Sequence, residues 1–190
     1  MSTAWTTGIR QGRTLTVAPP SGAWSEVFRD ALRQFNALSR SHHLCVILQG
    51  GGGDANVVAA TAAGNLSFAY DGTTHSARFN GNGLHGRTYQ VKRQGSGIEK
   101  AYIFLPEQPM VNTPRGQRPV GRPVKLLIAV HELVHACGLE DSDHNDADLF
   151  CGYPTVDYGA RPVGDRVTVS SRGTTRRMPP LVLSATTAQL

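Results

Sequence analysis

The chain has 190 residues, 39% of them apolar and 17% charged, with a formal net charge of +5. This is the composition of one globular domain, long enough to bury about 70% of its unfolded surface, and it excludes a disordered or fibrous chain. No apolar run approaches the ~18 residues that a membrane-spanning helix needs, so no membrane span is expected.

The opening residues, Met1-Ser2-Thr3-Ala4-Trp5, lack the apolar core of a secretory signal, so the expected location is cytoplasmic or reached by a non-classical route. Residues 13–18 alternate Leu15 and Val17 with Thr14 and Thr16, the period of a half-buried strand, and Pro19 and Pro20 end it. Ser21 stands where a helix cap belongs. Trp24, Val27, Phe28, Ala31, Leu32, Phe35 and Leu38 then recur at three and four residues, predicting a helix whose apolar stripe lies on a sheet. Residues 44–48 are continuously apolar, predicting a central strand parallel to the first, with both faces covered. His42 and His43, just before it, are adjacent and point apart, so they read as surface residues rather than ligands.

A glycine turn at 50–53 leads to a third strand at 55–61 and a hairpin or loop over 66–82 with Gly72 at its bend. Asp71, His75 and Asn80 match the spacing of no ion-binding loop. Residues 83–91 and 100–105 predict two strands joined across 94–97, and the proline-rich 106–122 predicts a loop. Near the end, 151–173 is rich in glycine and proline with a small strand at 166–170, and 184–190 looks like a short helix. The arginines are scattered. The tightest group, Arg172, Arg176 and Arg177, has no interleaved aromatic residues, so the charge reads as a solvated basic face with no nucleic-acid partner. Cys45, Cys137 and Cys151 are too few and too odd in number for a disulfide scaffold and read as reduced and buried, with Cys137–Cys151 pairing as the alternative. No repeat or second domain appears, and the chain is expected to act as a monomer.

The chemistry is concentrated in residues 124–135, Val-Lys-Leu-Leu-Ile-Ala-Val-His-Glu-Leu-Val-His. Pro123 suits a first helical turn and Gly138 a left-handed end, so the run predicts a helix. Four residues are close to one turn, which puts His131 and His135 on one face. Two imidazoles converging on one point suit Zn2+, and Glu132 beside them is placed as a general base toward the position that a catalytic zinc leaves to water. The competing reading is a core helix that happens to carry two histidines and a carboxylate. Each such buried polar group would then still need a partner.

The segment Gly138-Leu139-Glu140-Asp141-Ser142-Asp143-His144 resembles the extended zinc signature of the metzincin metallopeptidases. The family's register puts the third metal ligand on Asp141, a residue type that the snapalysin-like members use there. His144 competes, because imidazole is the commoner ligand, and it is the preferred of the two. Met178, before Pro179 and Pro180, resembles the family's methionine turn beneath the metal. Tyr153 or Tyr158 would be the nearest source of an oxyanion-steadying tyrosine.

The resemblance implies an α+β zincin fold with a mixed, mostly parallel sheet, an antiparallel edge strand, a backing helix and an active-site helix. It also implies one domain over 1–190, with 1–138 above the cleft and 139–190 below it. Substrate is expected to pair with the edge strand near Gly83, Leu84, His85, Gly86 and Arg87. The implied activity is hydrolysis of peptide bonds in a peptide or protein substrate, with one catalytic zinc ion and Glu132 as base. A zinc-dependent amidase or toxin domain with one dedicated target, or a non-catalytic zinc-binding module, would share the same helix.

Overall fold

Strand β1 (Thr14–Ala18) buries Leu15 and Val17 and leaves its threonines half-exposed, as the alternation requires. The computed structural model describes residues 3–44, 46–52, 54–93, 97–113, 116–144, 148–150, 154–156, 167–171, 174–177 and 181–189. A helical turn, α1 (Thr7–Gly12), precedes β1. β1 lies between β2 (Ile47–Gly50) and β3 (Val57–Ala62). With β6 (Arg87–Arg93) and β7 (Gly97–Pro106) they form a five-stranded sheet in the order β2-β1-β3-β7-β6. All neighbours are parallel except β7 and β6, so the class is α+β with a mixed, mostly parallel sheet and an antiparallel edge strand.

β2 is an edge strand, whereas its apolar run predicts a central one. Of the described residues of the run only Leu48 is buried, beside the backing helix α2 (Ser25–Ser41), while Leu44, Val46 and Ile47 are half-buried. The Ser39 hydroxyl donates to the carbonyls of Leu44 and Val46, and Asn36 holds both main-chain groups of Leu48, at 2.7 and 2.8 Å. A helix lying over part of an edge is one way in which its unpaired groups are engaged.

α2 follows a 3-10 turn, Gly22–Trp24, at whose head Ser21 is extended and makes no capping hydrogen bond. It packs against α3 (Arg122–Ala136), which is buried at Val124, Leu127, Ile128, Ala129, Val130, Leu133, Val134 and Ala136, the pattern of a helix enclosed on several sides. Trp24 ties these elements together. It is fully buried, its indole N–H donates to Pro106 O at 2.8 Å, and the Lys125 ammonium stands 5.5 Å from the ring centroid.

The predicted hairpin is β4 (Gly64–Tyr70) and β5 (Thr73–Phe79), closed by Asp71 and Gly72, both at positive φ. Its Phe68 packs on Tyr89, Tyr102 and Phe104 of the sheet, and His75 stacks on Phe68 at 5.3 Å. Two regions hold more strand than the sequence predicts. Within 106–122 the hairpin β8 (Met110–Thr113) and β9 (Gly116–Pro119) replaces a plain loop, since proline marks strand edges as well as loops. The single strand predicted at 166–170 is the middle of an antiparallel sheet of β10 (Pro154–Val156), β11 (Val167–Ser171) and β12 (Thr174–Arg177). The chain ends in α4 (Ala185–Gln189). Residues 83–86, predicted as strand, form a loop ahead of β6.

His42 and His43 lie in the turn that ends α2, the first half-buried and the second exposed. Cys137 is a free thiol whose burial pushes its pKa up to about 12, and Cys45 and Cys151 lie outside the described residues. Among the described residues no helix is long and apolar enough to cross a membrane.

Trp24→Ala is expected to lower the free energy of unfolding by about 3–5 kcal/mol, as large aromatic-to-alanine changes in cores do, measured by urea denaturation.

Candidate metal centre

One helical turn sets His131 and His135 on the same face of α3, with ring centroids 4.9 Å apart. Each Nδ1 lies against a carbonyl of the chain beyond the helix: His131 on Leu149 O at 3.1 Å, His135 on Leu139 O at 2.9 Å. A carbonyl only accepts, so both Nδ1 atoms carry the proton and both Nε2 atoms keep a lone pair.

The chain turns back toward the imidazoles at Gly138, whose φ is +122. A Cβ there would collide with the Thr3 carbonyl, so the close approach of the N-terminal segment also requires glycine. A 3-10 turn, Asp141–Asp143, follows, closed by Glu140 N donating to the Asp143 carboxylate at 2.9 Å. It delivers His144, whose Nε2 is 3.1 Å from His135 Nε2. One ligand nitrogen from each of His131, His135 and His144 lies within 4.8 Å of the others. Two nitrogens held at 2.0–2.1 Å by a tetrahedral ion are roughly 3.3 Å apart, so the three histidines are close enough, and of the right donor type, for a zinc ion. The Phe150 ring, fully buried, underlies all three imidazoles at 5.0, 4.7 and 4.6 Å.

Asp141, the other candidate third ligand, has its side chain 95% exposed, with Oδ1 3.7 Å from His135 Nε2, and stands outside the three-histidine group. Met178, Tyr153 and Tyr158 lie outside the described residues.

Burial keeps the imidazoles neutral. It pushes His131 down to about 3, helped by the neighbouring His135, and lowers His135 and His144 as well. Neutral imidazole is the form that binds a metal. Glu132 is 4% exposed, and burial pushes its carboxyl up to about 8 against the opposing hydrogen bond from Thr88. That hydroxyl donates to Oε2 at 2.7 Å. Gly86 covers the other side: a Cβ there would come within 2.5 Å of Glu132 Cγ and 2.8 Å of Oε1.

These groups open onto a cleft of about 540 Å³, with Leu84, His85, Gly86 and Arg87 on one wall and His131, Glu132, His135 and His144 at the base. Gly83 instead closes a turn, its N–H donating to Asn80 O at 3.0 Å.

Thr88 and Gln90 are missed by the sequence reading. Two apart on β6, they point to one face, where Gln90 Nε2 donates to His135 O at 2.8 Å and Leu139 O at 3.3 Å. Period-2 spacing was the available signal, but spacing does not say which face of a strand meets the helix. Asp148 is missed too. Its buried carboxylate accepts from Phe150 N, Ser184 N and Thr187 Oγ1 at 2.6–2.7 Å, anchoring the stretch that carries Leu149 O.

For the metal-free protein these shifts predict a stability maximum. The lowered imidazoles stay neutral while their unfolded counterparts, at 6.5, take up protons, so stability falls as the pH drops below 6.5. Glu132 holds its proton up to about 8 while the unfolded carboxyl loses it above 4.5, so its contribution is complete below 4.5 and lost as the pH rises through 8. Between 4.5 and 6.5 three imidazoles outweigh one carboxyl. The unfolding midpoint measured in a chelator is therefore expected to peak near pH 6.5, and Glu132→Gln, which cannot ionise, to remove the decline from there to pH 8. A decline of unchanged slope in that variant contradicts the role given to Glu132. Comparison with protein-family models finds no match for the chain, and comparison with curated proteins finds none.

Proposed function

We infer that this chain is a zinc-dependent peptidase of metzincin-like design, with His131, His135 and His144 as ligands and Glu132 as general base. One observation carries the reading: a buried carboxylate stands beside three converging imidazoles at the base of an open cleft. A bound zinc ion would supply Lewis acidity to a scissile carbonyl and lower the pKa of a water nucleophile.

The chain's own groups account for the rest. Glu132 takes the proton from the attacking water and hands it to the leaving amine. Its carboxyl, buried and held by Thr88 beside the imidazoles, is placed for both directions of transfer. Thr88 holds Oε2 and leaves Oε1 on the side of Gly86, where no side chain intervenes. The carbonyls of Leu139 and Leu149 hold the two helix imidazoles in the tautomer that presents Nε2.

A peptide substrate is supported by β6, which ends the sheet beside the cleft. An extended chain can pair with such an edge, its reactive bond over the imidazoles and residues 84–87 against its side chains. Division into a part above the cleft, 1–138, and one below it, 139–190, belongs to the same proposal, as does action as a monomer.

Glu132→Ala is expected to retain zinc, by elemental analysis, while hydrolysis of a panel of unrelated peptides falls by about 10²-fold or more. Undiminished hydrolysis ends the assignment. His144→Ala is expected to empty the site and Asp141→Ala to leave zinc bound. The reverse pattern would move the third ligand to Asp141.

A further inference from the structure

The geometry points to Arg87 as a specificity-determining residue: the cleft takes an extended peptide that carries an acidic side chain where it passes the start of β6. This rests on the peptidase reading above and names its substrate class. Thr88 and Gln90 turn toward α3, so Arg87 and Tyr89 project from the opposite face of β6. Both still reach the cleft wall, since among the described residues β6 is the edge strand of the sheet.

The guanidinium is positioned before any ligand arrives. Its central carbon lies 5.1 Å from the centroid of the Tyr89 ring, within cation–π range, and Tyr89 is itself packed against Phe68 at 5.4 Å and Phe104 at 5.8 Å. Stacking restrains the side chain without using its N–H donors, which leaves the planar fork available to a carboxylate.

Among the described residues no ion pair within 4 Å joins it to a carboxylate, and Glu132, deeper in the cleft, feels its charge only at longer range. The acids on this side are engaged elsewhere: Glu99 by Tyr70 and Arg93 at 3.1 and 3.5 Å, Glu140 by Lys92 at 2.5 Å, and Glu132 by Thr88. Asp141 stands by His135 among the site residues. An exposed, stacked cation with no close ion-pair partner on the wall of a peptide cleft attracts Asp or Glu at one position and repels Lys or Arg there.

The test is a binding measurement that needs no turnover. Zinc-loaded Glu132→Gln protein is titrated into fluorescein-labelled decapeptides, in which Asp, Ala or Lys is placed at each position in turn, and followed by anisotropy. One position is expected to favour Asp over Ala by about fivefold, the upper size of an exposed charge pair, with Lys weaker than Ala. That difference should shrink as salt is raised. Adding Arg87→Ala should bring the Asp and Ala peptides to equal affinity, Arg87→Glu should favour Lys, and Arg87→Lys should keep part of the acid preference. A flat scan, or a preference that survives Arg87→Ala, overturns the inference, and the peptidase reading stands if the wild type still cuts these peptides. If zinc-loaded wild type neither binds nor cuts any of them, the peptidase reading falls and this inference with it.

Discussion

The site depends on two hydrogen bonds from imidazole to main chain. His131 and His135 each donate Nδ1–H to a carbonyl that comes after the helix in sequence, at Leu149 and Leu139. Those bonds decide the tautomer, and the tautomer decides that the lone pairs meet each other and His144. The carbonyls are themselves held from distant parts of the chain. Gln90 of β6 bonds Leu139 O, while Leu149 N–H donates to Val182 O at 3.2 Å and the neighbouring Asp148 binds the segment around Ser184. Imidazole orientation is therefore set jointly by the sheet edge and by the C-terminal residues, which is the kind of outer support that keeps a functional constellation within tolerance.

The same arrangement explains how a carboxylate is kept where burial disfavours its charge. Glu132 sits between a strand that supplies a hydroxyl and a glycine that supplies space. Removing either support would leave a buried polar group without a partner or without room, and both are costly. β6 works with both faces. One, through Thr88 and Gln90, fastens α3; the other, through Tyr89, joins the aromatic cluster around Phe68 and supports Arg87.

Much of this architecture is legible in periodicity. The alternation at 13–18, the three-and-four stripe from Trp24 to Leu38 and the apolar run ahead of His131 predict β1, α2 and α3 close to where they lie. The misses share a cause. A continuous apolar run does not say how many neighbours will cover it, so β2 reads as central although it is the sheet's edge, engaged by α2 through Asn36. Proline and glycine report where helices stop without distinguishing a loop from a short hairpin, so β8 and β9 read as loop.

The sequence alone determined the pair of imidazoles one turn apart, the carboxylate between them and the glycine at which the chain reverses, because helix pitch and left-handed backbone are local properties. It left Asp141 and His144 in competition, since both lie within a few residues of that reversal and either residue type binds zinc. Only the tertiary structure decided which of them gathers with the helix histidines, which strand face meets Glu132 and which carbonyls hold the rings. Those outcomes depend on how the chain folds back beyond the helix and on contacts more than forty positions apart, such as Thr88 with Glu132 and Gln90 with His135, and no local period encodes them.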